Sequence, residues 1–437
     1  MSDKSGEMTA LSAHPLRGRV LAEVHARPFV AMDTPKRILH FAFMTDHKAA
    51  AKARTALESF CLDRASAPPP PEAKHHRVEL TPAVLRWEHH GEFSTYTWEF
   101  PGNGDEAPKR KPLAFQPGAD ELSSVMRLLP QPGPLLVAID LHLMAEEYIG
   151  ETYKHLFGPS QLAASEVESG AAIVATDFHP DAFGFVRMLV LDRKLTSAQA
   201  GSLVQRLLEV ETYRTLALLG LPEAQDAGPS LRRIETELPL LMNEMERSEG
   251  FDTNRRLLDR LTALAAELEA GAAKTLYRFG ATRAYNELIN LRLDAIGERP
   301  LPNLPTFAAF LARRLTPAIR TCASTEARQD NLSRKLARAA QLLRTRVDIH
   351  LESQNSDLLR KMNDRVRLQL RLQQTVEGLS VAAISYYIAS ILHLVFEGLH
   401  RQEEHLDPAL ATALAVPFIV AFVAWNVWRI RKHHTDE

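Results

Sequence analysis

The chain has 437 residues, which at roughly 150 residues per domain is enough for two or three domains. Its 52 basic and 54 acidic residues give a formal net charge of -2, a balance that argues against a dedicated nucleic-acid-binding protein. The two cysteines, Cys61 and Cys322, lie far apart without a CxxC partner, which disfavours a disulfide framework and a structural zinc site. Residues 1–15 lack the apolar run of a signal peptide, so we expect most of the chain to lie in a reducing cytoplasm.

Residues 1–13 are predicted to form a flexible tail, and residues 14–225 an α+β cytoplasmic domain. Short apolar runs rich in β-favouring residues predict six strands, with one helix after the first of them. The predicted strands are 37–44, 84–90, 94–100, 135–143, 172–178 and 185–191, and the helix is 48–62. Trp87, Tyr96 and Trp98 flank a glycine in a pattern typical of a hairpin. A mostly antiparallel sheet is therefore expected, with a doubly wound α/β fold as the alternative because helices intervene.

A helical domain is predicted over residues 226–316. It follows a helix that Thr196 or Ser197 caps and that Gly220 ends. Within it, a helical pattern that runs to Ile296 is followed by a proline-rich break formed by Pro300, Pro302 and Pro305.

A long stalk helix is predicted over residues 317–378, because neither proline nor glycine lies between Pro317 and Gly378. Such a helix extends ~90 Å at ~1.5 Å per residue and needs tertiary support. Apolar residues recur along it near heptad spacing, which is typical of a coiled coil. They are Val347, Leu351, Leu358, Met362, Leu372, Val376 and Leu379. We therefore expect partner helices in the same chain or in other copies, and a homo-oligomer is favoured.

Two apolar stretches follow, predicted as transmembrane helices over residues 379–399 and 409–428. Each approaches the ~20 residues that cross a bilayer, so the expected partner is lipid and the pair forms a transmembrane hairpin. Basic residues flank the pair and loop 400–408 is acidic, which predicts an external loop and a cytoplasmic tail over 429–437. The flanking residues are Arg360, Lys361, Arg365, Arg367, Arg371, Arg429, Arg431 and Lys432, and the candidate cation-attracting residues of the loop are Glu403, Glu404 and Asp407. Two buried core helices of a soluble protein are the alternative.

The first predicted span carries four polar residues on one helix face, because Tyr386, Ser390, His393 and Glu397 follow a four-three-four spacing. Ionisable groups at membrane depth usually face a partner or water. In a symmetric oligomer these residues are candidates to line a pore for a divalent cation, with Glu397 as an acidic ring at the outer mouth. The alternative is that His393 and Glu397 only reach the outer interface.

The N-terminal segment gathers five ionisable residues within a short stretch: His14, Arg17, Glu23, His25 and Arg27. Histidine and glutamate are competent metal ligands, and the arginines suit an anion. However, the spacing matches no strong signature such as HExxH. Salt bridging or an interface role is therefore favoured, and neither a metal site nor a cofactor is assigned.

Catalytic motifs are scarce, since the sequence contains no P-loop, no GxGxxG after a strand and no GxSxG elbow. Asp140, His142, Asp177 and His179 lie at or near predicted strand ends, where a dyad can assemble. The sequence nevertheless favours a protein that is not an enzyme.

Three motifs resemble an uncharacterised bacterial family of predicted membrane-anchored proteins with a domain of unknown function. They are His14-Pro15-Leu16-Arg17 with Glu23-Val24-His25-Ala26-Arg27-Pro28, LVQRLLEVETYRTLALLGLP from Leu203, and LRLQQTVEGLSVAAISYY from Leu370. The resemblance covers nearly the whole chain. It implies a membrane anchor, and with the basic flanks it predicts the bacterial inner membrane with both termini cytoplasmic.

A second resemblance is architectural. A cytoplasmic α/β domain, a long helix feeding the first span, a short acidic outer loop and a basic tail are similar to CorA-type divalent-cation channels. Those channels carry a Gly-Met-Asn motif at the outer end of the first span. Here that place reads Phe396-Glu397-Gly398-Leu399-His400, so the resemblance does not extend to the selectivity motif.

Overall fold

The structure is a computed structural model that describes residues 14–17, 20, 29–70, 73–102, 115, 127–157, 162–400 and 407–435. The predicted tail over residues 1–13 lies outside the described residues. The chain divides into two compact units. Unit 1 consists of Met1–Leu240 and Leu261–Ala337, and unit 2 of Leu241–Arg260 and Arg338–Glu437.

Unit 1 contains a nine-stranded sheet. Its strands are β1 Lys36–Met44, β2 His75–Glu79, β3 Val84–His89, β4 Phe93–Pro101, β5 Leu135–Ala145, β6 Ala163–Val167, β7 Ala172–Pro180, β8 Val186–Asp192 and β9 Arg299–Pro300. Their order is β2-β3-β4-β1-β5-β8-β7-β6-β9. Among these strands β5 and β8 are parallel neighbours, and every other pairing is antiparallel. The N-terminal region is therefore a mixed, mostly antiparallel sheet with helices, and the doubly wound alternative is wrong.

Long helices occupy most of the remaining described chain. They are α1 His47–Leu62, α2 Ser197–Leu218, α3 Gly220–Arg247, α4 Phe251–Ile296, α5 Phe307–His400 and α6 Pro408–Thr435. The predicted stalk and the predicted first span both fall within the single helix α5. No helix end of α5 falls at the boundaries that the sequence suggested for the stalk and the first span. Those domain boundaries therefore remain predictions.

The six strands and the helix predicted for the N-terminal region are confirmed to within two residues at each end. Three strands were not predicted. β2 is mostly polar and β6 is short and rich in small residues, so neither shows an apolar run. β9 has two residues and lies inside the proline-rich break, where it pairs with β6.

Helix α1 covers one face of the sheet. Asp46 caps it by accepting a hydrogen bond from the backbone N–H of Ala49 at 2.7 Å. Leu57, Phe60 and Cys61 of α1 are buried against the sheet in one apolar cluster. The sheet residues of that cluster include Leu39, Phe41, Phe43, Leu85, Trp87, Tyr96 and Trp98. Burial raises the pKa of the Tyr96 hydroxyl to about 12.

The opposite face packs against α2, the end of α4 and the start of α5. Thr196 caps α2 in a capping box with Gln199, which confirms the predicted cap. The core on this face includes Ile139, Leu141, Leu203, Leu207, Ile289, Leu293, Phe307 and Phe310. Gly220, which starts α3, has no room for a side chain because Thr282 lies against its backbone. Unit 1 is thus three layers, with the sheet between helices.

Unit 2 begins where α3 and α4 meet. The turn between them contains Gly250, whose φ of 103° favours glycine. Arg346 of α5 donates a hydrogen bond to the backbone carbonyl of Met245 at 2.7 Å, which ties α5 to the end of α3. Beyond this point α5 is exposed, and its segment from Ile349 to Leu379 presents many large apolar side chains. Helices α5 and α6 each contain a stretch long and apolar enough to cross a membrane, by length and composition.

Candidate functional site

The four predicted pore-lining residues of α5 have different surroundings in the structure. Tyr386 is 70 % exposed, Ser390 is half-buried and Glu397 is exposed. His393 lies 3.0 Å through Nδ1 from the hydroxyl of Thr412 on α6. Because the Thr412 hydroxyl donates its proton to the backbone carbonyl of Pro408, His393 Nδ1 must be the donor. One member of the predicted face therefore contacts the second apolar helix.

Sequence reasoning did not single out Ser385, which is 6 % exposed and has no hydrogen-bond partner for Oγ within the described part of the chain. Near the other end of α6, a groove of about 300 Å³ is lined by residues of both helices. They are Gln374, Glu377, Gly378 and Val381 of α5, and Ala424, Val427 and Trp428 of α6. The two helices therefore lie side by side at two levels.

The acidic loop is described only at its end. Glu403 and Glu404 lie outside the described residues. Asp407 is exposed, and its Oδ1 accepts a hydrogen bond from the backbone N–H of Ala409 at 3.0 Å. Its backbone carbonyl accepts from Ala411 at 3.1 Å. Asp407 thus caps α6, a structural use of its carboxylate.

The N-terminal motif is also described in part. Glu23, His25 and Arg27 lie outside the described residues. His14 and Arg17 are exposed, and His14 Nδ1 accepts a hydrogen bond from the backbone N–H of Leu16 at 3.2 Å. Among all residues that the structure describes, no group of three or more His, Cys, Asp or Glu is arranged to hold a metal ion.

Asp140 and His142 do come together, but in the middle of β5 rather than at a strand end. His142 Nε2 lies 3.2 Å from Asp140 Oδ1, and Arg37 donates to both Asp140 oxygens at 3.0 and 2.9 Å. Burial raises the pKa of Asp140, but hydrogen bonds from His142 and Arg37 outweigh it and the net pKa is lowered. Asp177 instead pairs with Arg187 at 3.4 Å. His179 is exposed, so the four candidates do not form one dyad.

A buried polar pocket lies on the other face of the sheet, beneath α2, and sequence reasoning missed it. Residues of β1, β3, β4 and α2 line it together with His90. The lining residues are His40, Arg86, Glu88, His90, Phe93, Thr95, Gln205, Leu208, Glu209, Thr212 and Tyr213. Its enclosed volume is about 20 Å³, and one side is open to solvent. We call it the α2 pocket.

His40 forms one wall of the α2 pocket and is held neutral. Thr212 donates its proton to the backbone carbonyl of Leu208 at 2.8 Å, so its oxygen accepts from His40 Nε2 at 3.2 Å. His40 Nδ1 then accepts from the Thr97 hydroxyl at 2.8 Å. Burial first, and the nearby charge of Arg86 second, lower the pKa of His40 to about 3. Both ring nitrogens are occupied, so His40 is not a base.

Arg86 is the unusual member of the α2 pocket. It is 6 % exposed, and its Nε and Nη1 have no hydrogen-bond partner among the described residues. Glu99 lies close to it across the β3–β4 pair and is equally buried, with Oε1 also without a partner in the described chain. In β3, Arg86 and Glu88 alternate with apolar Leu85 and Trp87. That alternation ordinarily indicates a solvent-exposed face, which is why the pattern does not predict a pocket.

A second buried cluster anchors the β3–β4 turn to α4. Arg278 donates to both oxygens of Glu92 at 3.1 and 2.7 Å, and the Tyr285 hydroxyl donates to Glu92 at 2.8 Å. The side chains of Arg278 and Glu92 are only 12 % and 10 % exposed. Burial, followed by the bond to Glu92, raises the pKa of Tyr285. Tyr285 also stacks on Tyr213 of the α2 pocket.

The fold defines a class of protein: an α/β body followed by long helices, two of which are apolar enough to cross a membrane. The chain belongs to the family described as Protein of unknown function (DUF3422), whose sequence profile matches residues 12–434. This confirms the predicted membership in an uncharacterised family. No curated protein and no solved structure matches the chain. The likeness to CorA-type channels stays a prediction.

Proposed function

We propose that the chain is a non-conducting, membrane-tethered scaffold or sensor that holds its α/β body at the cytoplasmic face of the bacterial inner membrane. The observation that carries this proposal is the hydrogen bond between His393 and Thr412. In hydrocarbon a polar group must find a partner within the protein or face water. A histidine that bonds to the second helix of its own chain needs no aqueous pore.

The flanks of the two helices support an anchor with cytoplasmic ends. Arg429 lies over the ring of Trp425 at 5.4 Å, an arrangement suited to the boundary between lipid and water. Apolar side chains of both helices are exposed, as lipid-facing residues would be. They include Ile391, Leu394 and Val395 on α5 and Leu410, Leu414, Phe418 and Phe422 on α6.

The topology predicts a labelling pattern in intact cells. A cysteine introduced as Glu404→Cys should react with a membrane-impermeant thiol reagent, whereas Thr435→Cys should react only after the cells are lysed. Background labelling should be low because Cys61 and Cys322 are buried. If only Thr435→Cys is labelled in intact cells, the orientation is the opposite of the proposed one. If neither variant is labelled before lysis, the loop between the two helices is not external.

An oligomeric divalent-cation channel is the second candidate. It is favoured by the exposure of Tyr386 and Glu397, which lie on one side of α5 and are free to face an axis between copies. The acidic outer loop would concentrate cations near such an axis.

Flux measurements separate the two candidates. For the tether we expect purified protein in liposomes to pass no magnesium, cobalt, nickel or zinc above the level of empty liposomes. A channel would pass at least one of them, and Glu397→Gln would reduce that flux by removing charge from the entry site. Glu352→Gln, an exposed change on α5 outside the predicted span, is the matched control. The tether proposal would be refuted if the liposomes show cation flux that falls in Glu397→Gln and is unchanged in Glu352→Gln.

We also propose that copies associate through α5. From Leu358 to Leu379 its apolar residues cover an arc of about 200° at about 100° per residue, wider than a two-stranded coiled-coil seam. They are Leu358, Leu359, Met362, Val366, Leu368, Leu370, Leu372, Val376 and Leu379, all of them exposed. Apolar surface of this extent on a helix supports a role as an association surface.

A further inference from the structure

We propose that the groove between α5 and α6 binds a phospholipid whose headgroup carries a primary ammonium group, as in phosphatidylethanolamine. The groove lies within unit 2 and is lined by residues of both helices around Gly378 and Trp428. We call it the α5–α6 groove. This inference rests on the proposed membrane anchor and adds a specific lipid partner to it.

The α5–α6 groove lies at the level where the apolar stretch of α5 begins and that of α6 ends. Gly378 directly precedes Leu379, the first residue of the predicted span in α5, and Trp428 is the last residue of the predicted span in α6. In the proposed anchor this level is the cytoplasmic boundary of the hydrocarbon, where Arg429 also lies over the ring of Trp425. The groove therefore opens at the depth of lipid headgroups.

The polar lining of the groove suits an ammonium group. Glu377 is half-buried, and its Oε1 accepts a hydrogen bond from Gln373 at 3.2 Å. A carboxylate has about four acceptor sites, so Glu377 can also accept from a ligand. Gln374 adds an amide oxygen, and Trp428, which is 57 % exposed, adds an aromatic face that attracts cations. Among the described residues no basic side chain lines the groove, so its charge complements an ammonium group rather than a phosphate.

The apolar lining follows the order of a phospholipid. Val381 and Ala424 lie about one turn further into the apolar stretches than Glu377 and Trp428. The Cα–Cβ bonds of α5 tilt toward its N-terminus, so Glu377 leans to the headgroup side and away from these apolar residues. The volume of about 300 Å³ lies at the lower end of the ~300–1,000 Å³ of small-molecule sites. The groove can therefore hold a headgroup with the start of its chains.

Gly378 leaves the space of the groove open. A Cβ added at this position would meet no atom within 4 Å, so packing within the chain does not require a glycine there. Glycine is less favourable than other residues in a helix interior. A longer side chain at this position would instead occupy the space that we assign to the lipid. Gly378→Leu is therefore a variant that fills the groove without a clash at its Cβ.

The lining also distinguishes between headgroups. The N–H groups of ethanolamine can donate to Glu377 and Gln374, whereas the methylated ammonium of choline donates no hydrogen bond. A glycerol headgroup leaves the lipid with a net negative charge, which the carboxylate of Glu377 repels. Soluble phosphoethanolamine offers the same ammonium group but no chains for Val381 and Ala424 to contact.

The test is native mass spectrometry of the full chain in detergent with an equimolar mixture of three phospholipids. They share the same acyl chains and carry ethanolamine, choline or glycerol headgroups. We expect the ethanolamine lipid to be retained about tenfold over each of the others, since it alone makes a charge-assisted hydrogen bond to Glu377. Glu377→Gln should bring the ratio close to one. Glu352→Gln, an exposed change on α5 outside the groove, is the matched control and should keep the preference.

Gly378→Leu gives a second readout that keeps the carboxylate of Glu377. It should lose the retained ethanolamine lipid, while the melting temperature of the delipidated protein stays unchanged or rises. The inference fails if the wild type retains the three lipids equally, if soluble phosphoethanolamine binds as tightly as the lipid, or if either variant keeps the wild-type preference. Recovery of the chain in the soluble fraction of lysed cells would instead contradict the membrane anchor itself.

Discussion

Glu92→Gln is expected to destabilise unit 1 by about 3 kcal/mol, since it breaks a buried ion pair and leaves the Arg278 guanidinium with the partly exposed carboxylate of Glu223, 3.9 Å from Nε. The wild-type Glu92 accepts two hydrogen bonds from Arg278 and one from Tyr285, and the two charged side chains are largely buried. Glutamine keeps the shape of the side chain but not the charge. The turn between β3 and β4 should then separate more readily from α4.

Hydrogen–deuterium exchange resolves this effect by segment, which suits a chain whose units need not unfold together. Peptides covering β3, β4 and the middle of α4 should exchange about a hundredfold faster in Glu92→Gln, while those of α6 should not change. Glu267→Gln is the control, because Glu267 pairs with Arg233 at an exposed site where a surface ion pair contributes ~1 kcal/mol or less. Equal effects of the two variants would contradict an anchoring role for Glu92.

The sequence predicts those elements of the fold in which the local pattern of apolar and polar residues matches the burial of the same residues in the structure. Strands β1, β5, β7 and β8 each contain an uninterrupted apolar stretch, as is typical of strands that helices cover on both faces, whereas β4 alternates apolar and polar residues. The cap of α2 follows from Thr196 and Gln199 alone. The order of the strands in the sheet cannot be predicted from these local patterns. The parallel pairing of β5 with β8, for example, joins segments that are far apart in the chain.

The candidate sites were harder to predict for a related reason. His40 and Arg86 lie on different strands, and Thr212 and Gln205 on α2 complete the pocket from more than a hundred residues away. Each residue alone is compatible with a polar strand face or a helix surface. Only the packing of α2 over β1, β3 and β4 turns these side chains into a buried group. The spacing of polar residues in the sequence predicts the polar face of α5. The contact of His393 with Thr412 cannot be predicted in this way, because it depends on how α6 packs against α5.

Replacing Leu358 and Leu372 together by Gln should abolish or strongly weaken self-association of the chain. Both leucines are exposed, at 58 % and 69 %, and both lie within the apolar arc of α5. Burying a leucine side chain contributes about 1.5–3 kcal/mol, and each copy brings two of them to the interface. Glutamine is a good helix former, so the helical content of α5 should be kept.

The measurement is the mass of the detergent-solubilised complex against the 48.8 kDa of one chain. The wild type should have a multiple of this mass and the double variant a lower one, with unchanged circular dichroism. Replacing Arg360 and Arg367 by Gln is the matched control, because these two lie on the charged side of α5, outside the apolar arc. A monomeric wild type would refute association. An unchanged mass for the leucine variant would refute association through the apolar arc of α5.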